Sequence, residues 1–436
     1  MKEHELIDIA AGNFRIDFVE AYALDCNEKV VGEGSAYVQI ESGEIELTCL
    51  FREFTKSILL KRMNIAEKEI FPDDCYITAK LIDVSGEIWV TDRFIPCSSN
   101  LLSSNQIIKH KIRFLTKFSD MKTGLYGYKY FFEKSYKLPV KEFSFYPDRS
   151  TLDKSTIMIE CAKIEFKNGK DYTTIEMLSD EKLEESKAEN IIRAVSLMTG
   201  QVFTPFYKIA FNNDCMTSTI YKKYQYKSIN NVFSYKIMNE HISRYLAKAI
   251  ASGINLHDFL FILDRSIIAQ KAHFDMFCLS ICTGIEMICK KYFSRLGLKE
   301  ELKLSESTKK LLDEINIQNK ELHSIITSSM ENHKKFSVIT ALKNLCKENA
   351  VKKEHIEAWR SLRNQISHAN PSGETQQKIN KAFTCLELFY LLNFIVVGYE
   401  GGYRGFDNES DNKKIFTIPE KIKEIDFTQF KIKEEQ

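Results

Sequence analysis

The stretch Lys271-Ala272-His273-Phe274-Asp275-Met276-Phe277-Cys278-Leu279-Ser280-Ile281-Cys282-Thr283-Gly284-Ile285-Glu286-Met287-Ile288-Cys289-Lys290-Lys291-Tyr292-Phe293 decides how the second half of this chain is read. Phe274, Phe277, Cys278, Ile281, Ile285, Ile288 and Cys289 recur at helical spacing, which gathers them on one side of an α-helix. The spacing predicts one amphipathic helix over 271–296. Beyond it the same periodicity predicts helices over 336–350, 353–369 and 374–397; the second ends before Pro371, whose ring disfavours helical geometry at Asn370. The last is apolar on most sides and belongs at a bundle core or a subunit interface. Towards the N-terminus the helical reading extends back to Val232, with polar breaks at Ser252-Gly253-Ile254-Asn255 and around 305–307.

Before residue 175 the pattern is different. Short β-prone stretches alternate with turn signals: 13–18, 35–40, 44–50, 75–84, 87–93, 107–115 and 156–166, the last followed by Asn168-Gly169. A mainly antiparallel sandwich or curled sheet follows from this. Tyr126, Tyr128, Tyr130, Phe131 and Phe132 form an aromatic cluster that fits a sheet core better than a base-stacking platform. The change of period falls near Ser179-Asp180-Glu181-Lys182, where Ser179 or Asp180 is a candidate helix cap, and a helix is predicted to run from there to Gly200. A short β-like interval covers 202–211. The expected class is therefore α+β: a β-rich N-terminal domain over 1–178, a helical connecting region over 179–265, a helical bundle over 266–400 and a tail over 401–436.

Composition narrows the function. The 61 basic and 60 acidic side chains nearly cancel, which argues against a broad nucleic-acid-coating surface and leaves room only for a local basic groove. The 11 cysteines are scattered, often within apolar runs, with no CxxC pair, and read as reduced buried thiols. The N-terminal sequence has no signal-peptide apolar region, and the longest apolar run, 386–397, is interrupted by Glu387 and Asn393 and is too short to span a bilayer. A cytoplasmic protein with no membrane partner is expected. No phosphate-binding glycine loop, nucleophile elbow or HExxH occurs, and His4, His110, His241, His257, His273, His323, His333 and His355 lack metal-ligand spacing. No cofactor and no metal are expected.

One segment hints at chemistry: Trp359-Arg360-Ser361-Leu362-Arg363-Asn364-Gln365-Ile366-Ser367-His368-Ala369-Asn370-Pro371. A histidine titrates near neutrality and an arginine is a permanent cation whose fork fits phosphate oxygens, so the two together can handle the proton and the charge of phosphodiester cleavage. Asn364 and His368 share a helix face, whereas Arg363 lies about 140° round from His368. Either the long arginine reaches across or a second subunit completes the site. Arg360, one turn before Asn364, is placed to add a phosphate contact.

Arg363-Asn364-Gln365-Ile366-Ser367-His368, near the end of the third main helix of a four-helix unit, resembles the Arg-(four to six residues)-His signature of HEPN ribonucleases. The 279–293 segment, with Glu286 in an apolar stripe, looks like the opening HEPN helix. The layout, a β-rich domain, a helix ending in Leu197-Met198-Thr199-Gly200 and a C-terminal bundle over roughly 266–400, is similar to ApeA-type anti-phage HEPN proteins. The resemblance implies a homodimer or higher oligomer, with two copies of the motif across one cleft, and metal-independent cleavage of RNA, tRNA among the candidate substrates. His368 would move the proton, Arg363 would stabilise the phosphate charge, Asn364 would orient the histidine or bind the phosphate, and Glu286 would be a structural or orienting partner. A phage-derived trigger sensed by the β-domain, and latency before it arrives, are expected of such a nuclease. The alternative is a non-catalytic HEPN scaffold that binds nucleotide, RNA or protein and uses its bundle to dimerise.

Overall fold

The computed structural model describes residues 2–63, 65, 71–96, 105–120, 123–136, 138, 142–145, 150–159, 162–223, 228–229, 238–296, 310, 336–367, 376–406 and 413–432. They form two compact units, Met1–Ala188 with Phe203–Tyr226, and Glu189–Val202 with Lys227–Gln436. The chain thus enters the second unit at residue 189, returns for a hairpin, and crosses again, so the 179–265 stretch is shared between the two.

The first unit holds α1 (Glu3–Ala11), α2 (Lys56–Met63) and one sheet of 14 strands. The strands are β1 (Asn13–Leu24), β2 (Val30–Glu41), β3 (Glu44–Phe54), β4 (Thr78–Asp83), β5 (Ile88–Thr91), β6 (Gln106–Ile112) and β7 (Phe114–Ser119). They continue with β8 (Tyr126–Glu133), β9 (Glu142–Phe145), β10 (Ser150–Ile159), β11 (Ala162–Asn168), β12 (Tyr172–Ser179), β13 (Tyr207–Asn212) and β14 (Cys215–Tyr221). The order is β6-β3-β2-β1-β4-β5-β7-β14-β13-β8-β12-β11-β10-β9. Every neighbouring pair is antiparallel. The β2–β3 hairpin shows why the local sequence folds this way. Ser42 and Gly43 turn the chain with φ of 50° and 85°, the left-handed pair that matches strand twist in a two-residue loop. The register that follows sets Ile40 against Ile45, Val38 against Leu47 and Ala36 against Cys49. All six are buried on one face of the sheet.

The sheet coils on itself. Strands β6 and β7 stand six places apart in the order, yet only Arg113 separates them in sequence, and one residue spans about 3.5 Å. His110 of β6 accordingly stacks on Phe94 beyond β5, ring centroids 5.0 Å apart. Of the two expected architectures the curled sheet is the one formed. The core inside the curl takes Leu6 and Ile9 from α1 and Ile58 and Leu59 from α2, and the aromatic cluster is β8: Tyr130, Phe131 and Phe132 are buried, Phe132 against Tyr136 and Phe203.

Several local expectations change. The run 156–166 is not one strand but parts of β10 and β11, and 107–115 breaks at Arg113 into β6 and β7. The run 75–84 begins in a short 3-10 turn, Asp73–Cys75, before β4. Ser179 ends β12 and does not cap a helix; α3 is Glu185–Thr199, and Gly200, with φ 66°, follows its end.

The second unit contains most of α3, then α4 (Met238–Ser252), α5 (His257–Ala272), α6 (Phe274–Tyr292), α7 (Val338–Lys347), α8 (Lys353–Ser367), α9 (Gln376–Val397), the hairpin β15 (Gly401–Arg404) and β16 (Lys413–Phe416), and the short α10 (Glu420–Lys423). The helix expected over 271–296 is interrupted. His273 is extended, φ −165° and ψ 143°, and its Nδ1 accepts the Asp275 amide at 3.1 Å, so it ends α5 and caps α6. Asn190 ties α3 to the connection between α4 and α5: its amide donates to the Ile254 carbonyl at 2.8 Å and accepts the Leu256 N–H at 2.9 Å.

Helix α9 is the core of this unit. It is long and apolar enough to cross a bilayer, but 72% of its apolar stretch is buried here. It also buries polar groups. Tyr245 donates to Asn393 Oδ1 at 2.7 Å, and Glu387 accepts from Lys414 Nζ at 3.0 Å and from Tyr403 Oη at 3.1 Å. The segment expected to be a tail is folded onto the bundle. The rings of Phe430 and Tyr292 lie 4.5 Å apart, and those of Phe427 and Phe293 lie 5.8 Å apart.

Candidate functional site

Helix α8 packs between α6 and α9, and its sequence explains how it sits. Leu362 and Trp359 are buried, with Ala358, Ile356 and His355 alongside, while Arg360, Arg363 and Asn364 are exposed. The indole N–H of Trp359 donates to the Cys282 carbonyl of α6 at 3.2 Å. One turn further along both helices, Arg363 Nε donates to Glu286 Oε1. Trp359 and Arg363 are four apart, as are Cys282 and Glu286, so α6 and α8 run in the same direction and two rungs hold them in register. The Arg363 side chain is 48% exposed and that of Glu286 19%, so the pair sits at the rim of the packed interface with part of the guanidinium open to solvent.

The opposite border of α8 faces α9. There Lys381 Nζ donates to Ser361 Oγ at 2.9 Å. Ser361 and Lys381 were not foreseen from the sequence. The signal for them was present: Ser361 lies inside the motif segment, and Lys381 lies at the end of the polar first turns of α9, before its apolar run. Only the packing of α9 on α8 joins the two.

Sequence reasoning selected Arg363, Asn364, His368, Glu286 and Arg360. The structure brings Arg363 and Glu286 into contact and sets Arg360 and Asn364 beside them on the exposed face of α8. His368 lies outside the described residues, as do Asn370 and Pro371. His323 and His333 fall outside them too.

Two of the α6 thiols, Cys278 and Cys289, are unsuited to act as nucleophiles. Burial pushes the Cys278 thiol up to about 12. Burial also raises Cys289, with the neighbouring Glu286 charge adding to it. Such thiols stay protonated at neutral pH. At the foot of α8, His355 Nδ1 accepts the Lys352 amide at 3.1 Å, and its Nε2 lies 3.7 Å from Glu387. Burial alone would raise the Glu387 carboxyl; His355 and Lys414 outweigh it and hold it at about 2. This cluster anchors the start of α8 to α9 and to the β15–β16 hairpin. Among the described residues no group of three or more His, Cys, Asp or Glu side chains is arranged to hold a metal ion.

What the arrangement offers is a helix face with cations at both borders and an amide between them. Its groups suit the recognition of an anion such as a phosphodiester. Models of known protein families, curated proteins and solved structures yield no match to the chain.

Proposed function

We propose that the second unit is a HEPN-type endoribonuclease and that the chain serves in anti-phage defence from the cytoplasm, as a homodimer whose two α8 motifs share a cleft. The observation that carries this reading is the Arg363–Glu286 pair on the rim of α8, beside Arg360 and Asn364 and five residues before His368. In the proposed reaction the RNA 2′-oxygen attacks the adjacent phosphorus, the bond to the 5′-oxygen breaks, and a 2′,3′-cyclic phosphate remains. His368 takes the 2′-hydroxyl proton or delivers one to the leaving 5′-oxygen. Arg363, aimed by Glu286, stabilises the charge on the non-bridging oxygens, with Asn364 and Arg360 as further donors. The sheet unit is proposed to sense a phage-derived trigger.

The test is cleavage of labelled total RNA in EDTA by wild type, Arg363→Ala and His368→Ala, with light scattering for the oligomeric state. Cleavage by wild type and its loss in both variants is the expected result. Equal cleavage by folded variants would remove the assigned roles, and a strict monomer that still cleaves would remove the shared cleft.

A second reading draws on the same ion pair. Glu286 neutralises Arg363, as it would in a non-catalytic scaffold whose α6–α8 contact is purely structural. Failure of wild type to cut any RNA, with or without metal, would favour it.

A further inference from the structure

We propose that Lys381, steadied by the Ser361 hydroxyl, is a further phosphate-contacting residue of the α8 face, and that with Arg360 it binds the backbone of single-stranded RNA. The ligand is taken from the ribonuclease reading; the site itself is argued from charge and geometry.

At 3.6 residues per turn, and with Arg363 as zero, Arg360 stands at about 60°, Asn364 at about 100° and Ser361 at about 160° round α8, while buried Leu362 points the other way. Arg363 therefore marks the α6 border of the exposed face, and Ser361, with Lys381 on it, marks the α9 border. Arg360 and Asn364 lie between. Charge is distributed unequally over this strip. Arg363 is neutralised by Glu286, and Glu357, one turn before Ser361, is engaged by Lys353 at 3.2 Å. Among the described residues no carboxylate pairs with Arg360 or with Lys381, whose hydrogen bond goes to a neutral hydroxyl.

Four other lysines of the unit are paired with carboxylates. Lys291 pairs with Asp258, Lys378 with Asp275, Lys414 with Glu387 and Lys421 with Glu348. An ammonium has three donors, and the Ser361 bond uses one, leaving two for phosphate oxygens. The half-buried Lys381 stem is already held against α8, so little rotamer freedom is lost when a ligand binds. Two uncompensated cations flanking an amide on one solvent face fit successive phosphates of a flexible strand, with no demand on base identity.

The experiment measures binding of a fluorescent single-stranded 2′-O-methyl oligonucleotide, which lacks the attacking hydroxyl, over a range of salt. Wild type should bind with a salt-dependent affinity. Lys381→Met should flatten the plot of log Kd against log salt by about 0.7, the loss of one single-strand phosphate contact. Lys381→Arg should keep the wild-type slope, and Ser361→Ala should fall between. Lys421→Met removes the same charge from an ion-paired lysine and should leave the slope unchanged. An identical slope in wild type and in folded Lys381→Met, or no binding by wild type, overturns the proposal. The two readings separate cleanly: slope loss without any RNA cleavage keeps this site and removes the nuclease, whereas cleavage by wild type with an unchanged Lys381→Met slope does the reverse.

Discussion

Arg363 meets Glu286 one helical turn beyond the point where Trp359 meets the Cys282 carbonyl, so the arginine's direction is set by the packing of a buried indole one rung away. A long exposed side chain that would otherwise sample many rotamers is held at one border of α8.

If that orientation matters to cleavage, Glu286→Gln should lower RNA cleavage by roughly 10- to 100-fold, the equivalent of one charge-assisted hydrogen bond. Stability should change by less than about 1 kcal/mol, because the arginine is half exposed and solvent screens the pair. Single-turnover cleavage and thermal melting on the same samples check both. A large fall in melting temperature with unchanged cleavage would make the pair structural.

The Glu387 carboxyl gives stability a defined pH dependence. Its folded value of about 2 lies below the ordinary 4.5, so its contribution is fully present above about pH 5 and is lost as pH falls from there towards 2. The size is on the order of 3 kcal/mol. Glu387→Gln should therefore melt well below wild type at pH 7, and the gap should close on acidification. A gap that stays constant down to pH 3 would exclude the linkage.

Gly284 lets α5 and α6 approach. A Cβ there would lie 2.4 Å from Ile262 Cγ2. Gly284→Ala gains about 1 kcal/mol of helix propensity, yet overlap with a branched side chain in a packed core costs about 1–3 kcal/mol. A net loss is expected by denaturant unfolding, and Ile262→Ala should be less harmful in the Gly284→Ala background than alone. Additive effects would show that the helices do not touch there.

Asn190 uses both ends of its amide on buried backbone groups. Asn190→Ala should destabilise by about 2–4 kcal/mol by leaving the Ile254 carbonyl and the Leu256 amide unpaired. Asn190→Asp keeps the shape but sets a carboxylate against a carbonyl, so it should be worst at neutral pH and recover as the carboxyl protonates. Melting at pH 7 and pH 4 separates the two variants.

Much of the fold was legible because it is written in local periodicity. The apolar faces of α6, α8 and α9 and the alternation in β1 to β3 each follow from neighbours a few residues apart. The misreadings came where a boundary lacks its usual marker. No glycine or proline announces the end of α5: His273 does it with a side-chain cap. Arg113 likewise carries the chain from β6 to β7 with no turn residue.

The sequence by itself determined an α+β chain, with a sheet first and helices after, and singled out Arg363, Asn364, His368 and Arg360, since helical spacing and side-chain chemistry are properties of short segments; Glu286 entered through the resemblance of its helix. Only the tertiary structure decided that Glu286 is the partner of Arg363, that Lys381 joins Ser361 at the other border, and that the sheet curls through Arg113. Those relationships join residues from 20 to 77 positions apart, or strands six places apart in the sheet. They depend on which faces bury against each other, and no local pattern encodes that choice.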